Sequence, residues 1–130
     1  MPEAGAGPRI LIVDDNPTNL RLAAEVLELE GYATLKAVDA EEALEILRDD
    51  TPDLILMDIA LPGMDGLSLT RRLKADARLR HVPVIALTAF AMKGDDQKAF
   101  EAGCAAYITK PIDTRRLPLQ VAEVLAGAKP

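Results

Sequence analysis

Acidic residues follow two of the most apolar segments of this sequence. Asp14 and Asp15 come directly after residues 10–13, and Asp58 comes directly after residues 54–57. Uninterrupted apolar runs of this length are typical of strands buried on both faces of a parallel sheet. The carboxyl ends of such strands form the edge where open α/β folds bind ligands. A lone acid after a strand is equally consistent with a loop cap, but two strands delivering acids to one edge predict a cluster.

Three converging carboxylates would repel one another unless a cation lies among them. One pair of carboxylates about 4 Å apart costs about 4 kcal/mol at an effective dielectric constant of about 20. A few oxygen ligands, with positions left open for water and phosphate, suit Mg²⁺ better than Zn²⁺. The acids therefore predict a Mg²⁺ site.

The bulk composition favours one globular, cytoplasmic domain. The chain has 130 residues and a net charge of −6, which argues against nucleic acid as a partner. Its single cysteine excludes an intrachain disulfide and fits a reducing compartment. No apolar run approaches the roughly 20 residues needed for membrane insertion. Residues 1–8 are expected to form a flexible tail, and residues 9–127 the domain.

Strand and helix patterns alternate along the whole domain. Strands are predicted over residues 10–13, 32–38 at an edge of the sheet, 54–57, 84–87 and 105–109. Helices are predicted from Pro17 to Gly31, from Asp39, over 66–74, over 93–102 and from Pro118 after a turn. This order predicts an α/β fold, with a parallel sheet and helices on both faces.

Two further strand ends add a hydroxyl and a cation to the acidic edge. Thr88 ends the fourth predicted strand, and Lys110 follows the fifth. Alone, Thr88 could be a strand-end cap and Lys110 a solvated lysine. Beside three acids they form a set suited to phosphate, because a carboxylate can be phosphorylated while Mg²⁺, an ammonium and a hydroxyl stabilise the phosphoryl oxygens.

These motifs give the sequence its resemblance to the CheY-like response-regulator receiver domains, over residues 9–126. The matching motifs are Asp14-Asp15, D-x-x-x-P-x-M-D-G beginning at Asp58, Thr88-Ala89 and Lys110-Pro111. The resemblance implies a flavodoxin-like (βα)5 domain with a five-stranded parallel sheet in the order 2-1-3-4-5. Within the family, the sequence is similar to stand-alone cell-cycle regulators of the DivK type and to receivers of hybrid histidine kinases.

The resemblance also implies roles for individual residues. Asp58 would be the phosphoacceptor, with Mg²⁺ held by Asp15, Asp58 and the Ala60 carbonyl, and with Asp14 acting mainly through a metal-bound water. Lys110 would contact the phosphoryl group. The remaining implied features are a cis bond between Lys110 and Pro111 and a conformational switch that joins Thr88 to the aromatic residue Tyr107.

The implied function is that of a single-domain response regulator in a bacterial two-component system or phosphorelay. A sensor histidine kinase or histidine phosphotransfer protein would phosphorylate it, and a downstream kinase or adaptor would bind the altered surface. Six residues are expected on the partner surfaces: Asn16, Pro17 and Leu20 for the phosphodonor, and Phe90, Met92 and Ala106 for the output. The alternative is a receiver domain excised from a hybrid histidine kinase or a larger response regulator.

Three other functions fit less well. A haloacid-dehalogenase-like phosphatase needs an acid two residues after its nucleophile, where this chain has Ala60, so turnover of external substrates is not expected. A flavodoxin-like cofactor site needs amides in its first loop, where Asp14 and Asp15 would repel a phosphate. An adaptor that is never phosphorylated is disfavoured by the complete acid set. The basic residues Arg71, Arg72, Lys74, Arg78 and Arg80 are expected to form a solvated face.

Overall fold

Five strands and five helices alternate in the structure, a computed structural model that describes residues 7–88 and 95–127. The strands are β1 (Arg9–Val13), β2 (Ala33–Ala37), β3 (Leu54–Asp58), β4 (Val84–Thr88) and β5 (Ala106–Thr109). The helices are α1 (Pro17–Leu29), α2 (Ala40–Asp49), α3 (Gly66–Lys74), α4 (Asp95–Ala102) and α5 (Leu117–Gly127). The sheet is parallel in the order β2-β1-β3-β4-β5, which confirms the predicted topology.

The two faces of the sheet bury alternate residues of the same strands. On β1, Leu11 and Val13 pack with the apolar residues of α2, α3 and α4. Ile10 and Ile12 point to the opposite face and pack with α1 and α5. Because both faces are covered, the central strands β1, β3 and β4 are apolar except at their ends, and this leaves their ends for polar chemistry.

Local signals in the sequence set the helix boundaries. Asn16 accepts hydrogen bonds from the N–H groups of Thr18 and Asn19, with Pro17 in the first turn. After α1, Gly31 has φ of 94°, a backbone conformation that residues with a side chain rarely adopt. Asp39 caps α2 by accepting from the Glu42 N–H. These caps hold the loops between β1 and α1 and between β2 and α2 in place.

Hydrogen bonds to the rest of the chain begin at Gly7. The Gly7 N–H donates to the Gly31 carbonyl over 2.9 Å, and the Pro8 carbonyl accepts from the Ala33 N–H over 3.0 Å. The predicted tail of residues 1–8 therefore includes two residues that pair with the chain, while residues 1–6 lie outside the described part. Within the described residues, no helix is long and apolar enough to cross a membrane.

Two of the five basic residues expected on a solvated face make hydrogen bonds to the chain. The Lys74 Nζ donates to the carbonyls of Arg80, over 3.1 Å, and Val82, over 2.6 Å. The Arg78 guanidinium donates to the Leu47 carbonyl and to the Thr51 hydroxyl. The prediction is therefore wrong for Lys74, which is half-buried because the loop between α3 and β4 turns its carbonyls toward the ammonium. Arg71, Arg72, Arg78 and Arg80 are exposed as expected.

Candidate functional site

A lysine ammonium lies between two buried carboxylates at the carboxyl edge of the sheet. The Lys110 Nζ is 2.9 Å from the Asp14 Oδ2 and 2.9 Å from the Asp58 Oδ2. Asp14 follows β1, Asp58 ends β3 and Lys110 follows β5, so three separate strands position this contact. The carboxylate side chains are only 1% and 3% exposed, against 15% for the lysine. The three groups form one poorly solvated charge cluster with a net negative charge.

The surroundings of Asp14 and Lys110 shift both pKa values. Burial, with a smaller contribution from the neighbouring Asp58 carboxylate, raises the pKa of the Asp14 carboxyl, although the Asn16 N–H and the Lys110 ammonium act to lower it. Burial lowers the pKa of Lys110, but the Asp14 and Asp58 carboxylates outweigh that effect and raise it. Lys110 therefore remains a cation at neutral pH.

The backbone holds both buried acids in the same way. The Asn16 N–H donates to the Asp14 Oδ1, and the Ala60 N–H donates to the Asp58 Oδ1, each over 2.9 Å. In each case the donor is two residues beyond the acid, which is the pattern of an Asx turn. Sequence analysis missed both bonds, although acids directly before turn residues are the signal for them. Each Oδ1 is thus engaged by the main chain, while each Oδ2 faces Lys110.

The loop after β3 folds back closely on Asp58. The Gly66 N–H donates to the Ile59 carbonyl over 3.2 Å. A Cβ placed on Gly66 would lie 2.1 Å from the Asp58 carbonyl oxygen and 2.8 Å from the Ile59 Cα. Contacts this short require the backbone to move, so glycine is needed at position 66 to keep Asp58 in its present place.

Asp15 completes a set of three acids that fits a divalent cation. Carboxylate oxygens of Asp14, Asp15 and Asp58 all lie within 4.8 Å of one another. Asp15 is exposed, whereas the other two are buried. Within the described part of the chain, the Asp14 Oδ2 is buried and receives no hydrogen bond, and its partner is the Lys110 ammonium in an ion pair of 2.9 Å. An oxygen-only donor set in which a buried carboxylate oxygen lacks a hydrogen bond suits Mg²⁺.

Thr88 and Tyr107 lie on neighbouring strands beside the acids. Thr88 is buried at the end of β4, and its carbonyl accepts from the Lys110 N–H over 2.6 Å. Tyr107 is half-buried and is paired with Ala86, two residues before Thr88. Because side chains alternate along a strand, Tyr107 and Thr88 share one face of the sheet. The Lys110–Pro111 peptide bond is cis, as the resemblance implied.

The residues predicted to bind partners differ in accessibility. Asn16 and Pro17 are exposed beside the acids, and Ala106 is half-buried. Leu20 is only 5% exposed and packs in the core beneath α1. This burial removes Leu20 from the predicted docking surface, because its helical position points inward. Phe90 and Met92 lie outside the described residues.

The fold and the acidic edge together define a known class of signalling domain. The chain belongs to the response regulator receiver domain family, which matches residues 10–122. It is therefore a receiver of two-component signalling.

Curated relatives and solved structures agree with this class. The polar-differentiation response regulator DivK of Brucella anthropi is 47% identical over 119 residues, which cover 92% of this chain and 97% of DivK. The signal receiver domain of a histidine kinase from Syntrophus aciditrophicus superposes with a TM-score of 0.86 at 38% identity, covering 95% of this chain and 93% of that one. A CheY-like receiver domain protein from Methanospirillum hungatei gives a TM-score of 0.86 at 33% identity, with 93% and 95% covered.

Proposed function

We propose that this receiver domain accepts a phosphoryl group on Asp58. The observation that carries the proposal is the position of Lys110, whose ammonium is 2.9 Å from the carboxylates of both Asp14 and Asp58. A fixed cation beside a buried carboxylate supplies stabilisation where negative charge develops during phosphoryl transfer. No acid lies two residues beyond Asp58, where Ala60 stands, which is consistent with self-modification rather than turnover of external substrates.

The proposed reaction transfers one phosphoryl group and conserves charge. A carboxylate oxygen of Asp58 bonds to phosphorus as the bond from phosphorus to the donor breaks, and the donor keeps the electron pair. Lys110 then balances the charge of the new phosphoryl oxygens. In a separate hydrolysis step water attacks phosphorus, the Asp58 oxygen leaves with its electron pair as a carboxylate, and the proton lost by the water passes to the released phosphate or to solvent. Asp58 thus both receives and loses the group without a separate catalytic base from the chain.

Mg²⁺ is the proposed cofactor, held by Asp15, Asp58 and the Ala60 carbonyl, with Asp14 acting mainly through a bound water. When bound, Mg²⁺ neutralises phosphoryl oxygens as charge shifts toward the leaving group. The support from this chain is the three-acid cluster and the buried Asp14 oxygen, which receives no hydrogen bond from residues 7–88 or 95–127.

The proposed donor is the phosphohistidine of a sensor histidine kinase or a histidine phosphotransfer protein. Asn16 and Pro17 are exposed at the acidic edge, where such a donor must approach. The match to DivK over 97% of its length favours a stand-alone response regulator over a receiver excised from a larger chain. The proposed output is docking to a downstream kinase or adaptor.

Intact mass spectrometry tests the assignment directly. Wild-type protein treated with acetyl phosphate and Mg²⁺ is expected to gain the mass of one phosphoryl group, and chelation of the metal should prevent the gain. Asp58→Asn should remove the gain, whereas Asp65→Asn should keep it, because the exposed Asp65 caps α3 and asparagine can also cap. Full labelling of Asp58→Asn would contradict the assignment.

A Thr88–Tyr107 switch is the proposed link between phosphorylation and docking. Thr88 ends β4 at the acidic edge, and Tyr107 shares its face of the sheet. Movement of the Thr88 hydroxyl toward a phosphoryl group on Asp58 would free space that Tyr107 could fill. The surface this would alter includes α4, β5 and α5, with Ala106 on β5.

The switch is tested by separating phosphorylation from docking. Thr88→Ala is expected to leave labelling at Asp58 largely intact but to remove the gain in partner affinity that beryllofluoride induces in the wild type. The measurement is affinity for a downstream histidine kinase or adaptor with and without beryllofluoride. A Thr88→Ala variant that keeps the full gain would show that the signal takes another route.

A further inference from the structure

We propose that Asn16 is a positioning residue for the metal site, because its cap on α1 fixes the orientation of Asp14. The inference rests on the proposed function, since it concerns the Mg²⁺ site described there. It assigns Asn16 a second role beyond its exposed place near the predicted phosphodonor surface.

Asn16 makes hydrogen bonds in both directions along the chain, and its carbonyl accepts from the Leu20 N–H over 3.0 Å as α1 begins. Its backbone N–H donates to the Asp14 Oδ1 over 2.9 Å. Its side-chain Oδ1 accepts from the Thr18 N–H over 2.9 Å and from the Asn19 N–H over 3.2 Å. The cap holds the residue in an extended conformation, with φ of −93° and ψ of 113°. The side chain therefore fixes the peptide that presents the N–H to Asp14.

Asp14 has little else to orient it. Among the residues that the structure describes, the Asn16 N–H is the one hydrogen-bond donor to the Asp14 carboxylate. The Lys110 ammonium attracts the Asp14 Oδ2 but is shared with Asp58. If the cap were lost, the Asn16 peptide could rotate, and Asp14 would no longer present one oxygen to the cluster in a fixed direction. Loss of a group that orients a metal ligand typically weakens metal affinity by about tenfold or more.

The other capped helices provide an internal control. Asp39 caps α2 through the Glu42 N–H in the same way that Asn16 caps α1. Neither Asp39 nor Glu42 belongs to the acid cluster or contacts it. Loss of either cap should lower the melting temperature, because a missing N-cap destabilises a helix. Only loss of the Asn16 cap should weaken the metal site.

The first test is the Mg²⁺ affinity of the unphosphorylated protein, measured by calorimetry for the wild type and three variants. Asn16→Ala is expected to weaken Mg²⁺ binding about tenfold. Asn16→Ser should restore affinity close to the wild-type value, because serine also caps helices. Asp39→Ala should lower the melting temperature by a similar amount with unchanged Mg²⁺ affinity. An Asn16→Ala variant that loses stability like Asp39→Ala but binds Mg²⁺ within twofold of wild type would overturn the proposal.

The second test uses the metal-free protein, so it does not depend on the phosphorylation assignment. Amide hydrogen exchange at position 16 should be faster in Asn16→Ala than in the wild type and slow again in Asn16→Ser. Unchanged exchange in Asn16→Ala would show that the cap does not hold this N–H against Asp14. Failure of acetyl phosphate labelling at Asp58, with both of these results as expected, would count against the proposed function alone.

Discussion

Lys110 and Lys74 are both half-buried, but their ammonium groups contact different kinds of oxygen. Lys110, at the carboxyl edge of the sheet, faces the carboxylates of Asp14 and Asp58. Lys74, near the amino end of β4, donates to the carbonyls of Arg80 and Val82. Burial lowers the pKa of both lysines, but only around Lys110 do formal negative charges reverse that effect and raise it. A buried lysine next to acids can serve phosphate chemistry, whereas one next to carbonyls holds a loop in place.

Removal of the Lys110 charge should give the largest effect. Lys110→Met leaves the Asp14 and Asp58 carboxylates buried and uncompensated, and loss of one partner from a buried ion pair typically costs about 3 kcal/mol or more. The free energy of unfolding of the metal-free protein should fall by about that amount, measured by urea denaturation. Labelling by acetyl phosphate should slow by about 100-fold. If Lys110→Met kept the stability and the labelling rate of the wild type, the different roles assigned to Lys110 and Lys74 would be contradicted.

Mg²⁺ should stabilise the folded protein by binding in the Lys110 region and not in the Lys74 region. A ligand that binds only the folded state at about 100 times its Kd adds about 2.7 kcal/mol, seen as a rise in melting temperature. Asp15→Asn should reduce this rise, because it removes one of the three clustered acids. Asp49→Asn changes an exposed acid at the end of α2 and should keep the full rise. Equal shifts in the Asp15→Asn and wild-type proteins would contradict the metal site.

Removal of the Lys74 charge should have a smaller effect, limited to stability. Lys74→Met leaves the Arg80 and Val82 carbonyls without their donor, a loss of about 1 kcal/mol. Mg²⁺ affinity and labelling at Asp58 should match the wild type. Denaturation, metal titration and labelling on one preparation would check this, and a change in labelling would mean that the two regions are coupled.

The smallest effect is expected from Asp14→Asn in metal-free protein. The pKa of Asp14 is raised in the folded state, mainly by burial, so folding favours the protonated form. The contribution of the Asp14 carboxyl to the free energy of unfolding is fully present below its pKa in the unfolded chain, about 3.8. That contribution is lost as the pH rises through the higher pKa that Asp14 has in the folded state. The neutral variant should therefore melt slightly higher than wild type at pH 7, with a difference that shrinks toward pH 4. A difference that grows on acidification would contradict the sign of the shift.

The strands and helices, and the identity of the residues at the site, could be predicted from the sequence because the patterns that indicate them lie within short segments. The α3 helix begins at Gly66 and ends at Lys74 as predicted, and α5 begins at Leu117, one residue before the predicted start. Four strand ends carry the site, and a parallel sheet must bring those ends to one edge. The pattern of strands and acids was therefore enough to predict which residues cluster.

The contacts that depend on the path of a loop could not be read in this way. Lys74 was expected in solvent because nothing in its own segment shows that residues 80 and 82 turn their carbonyls toward it. An asparagine directly before Pro17 is a sequence signal for a helix cap, but nothing in the sequence shows that the Asn16 N–H bonds to Asp14, since that bond depends on the extended backbone at one residue. Leu20 recurs at helical spacing with Ala23, Ala24 and Leu27, and this pattern is typical of a buried helix face, which is incompatible with the predicted place of Leu20 on the docking surface.

The close approach of Gly66 to the backbone of Asp58 limits how this chain can diverge. Ala60 and Met64 in the same loop are exposed and can vary with little effect on the acid. Any side chain at position 66 would have to displace the peptide that carries Asp58. A descendant that lost this glycine would be expected to lose phosphorylation before it lost its fold, and so to become a binding protein that no longer responds to a kinase.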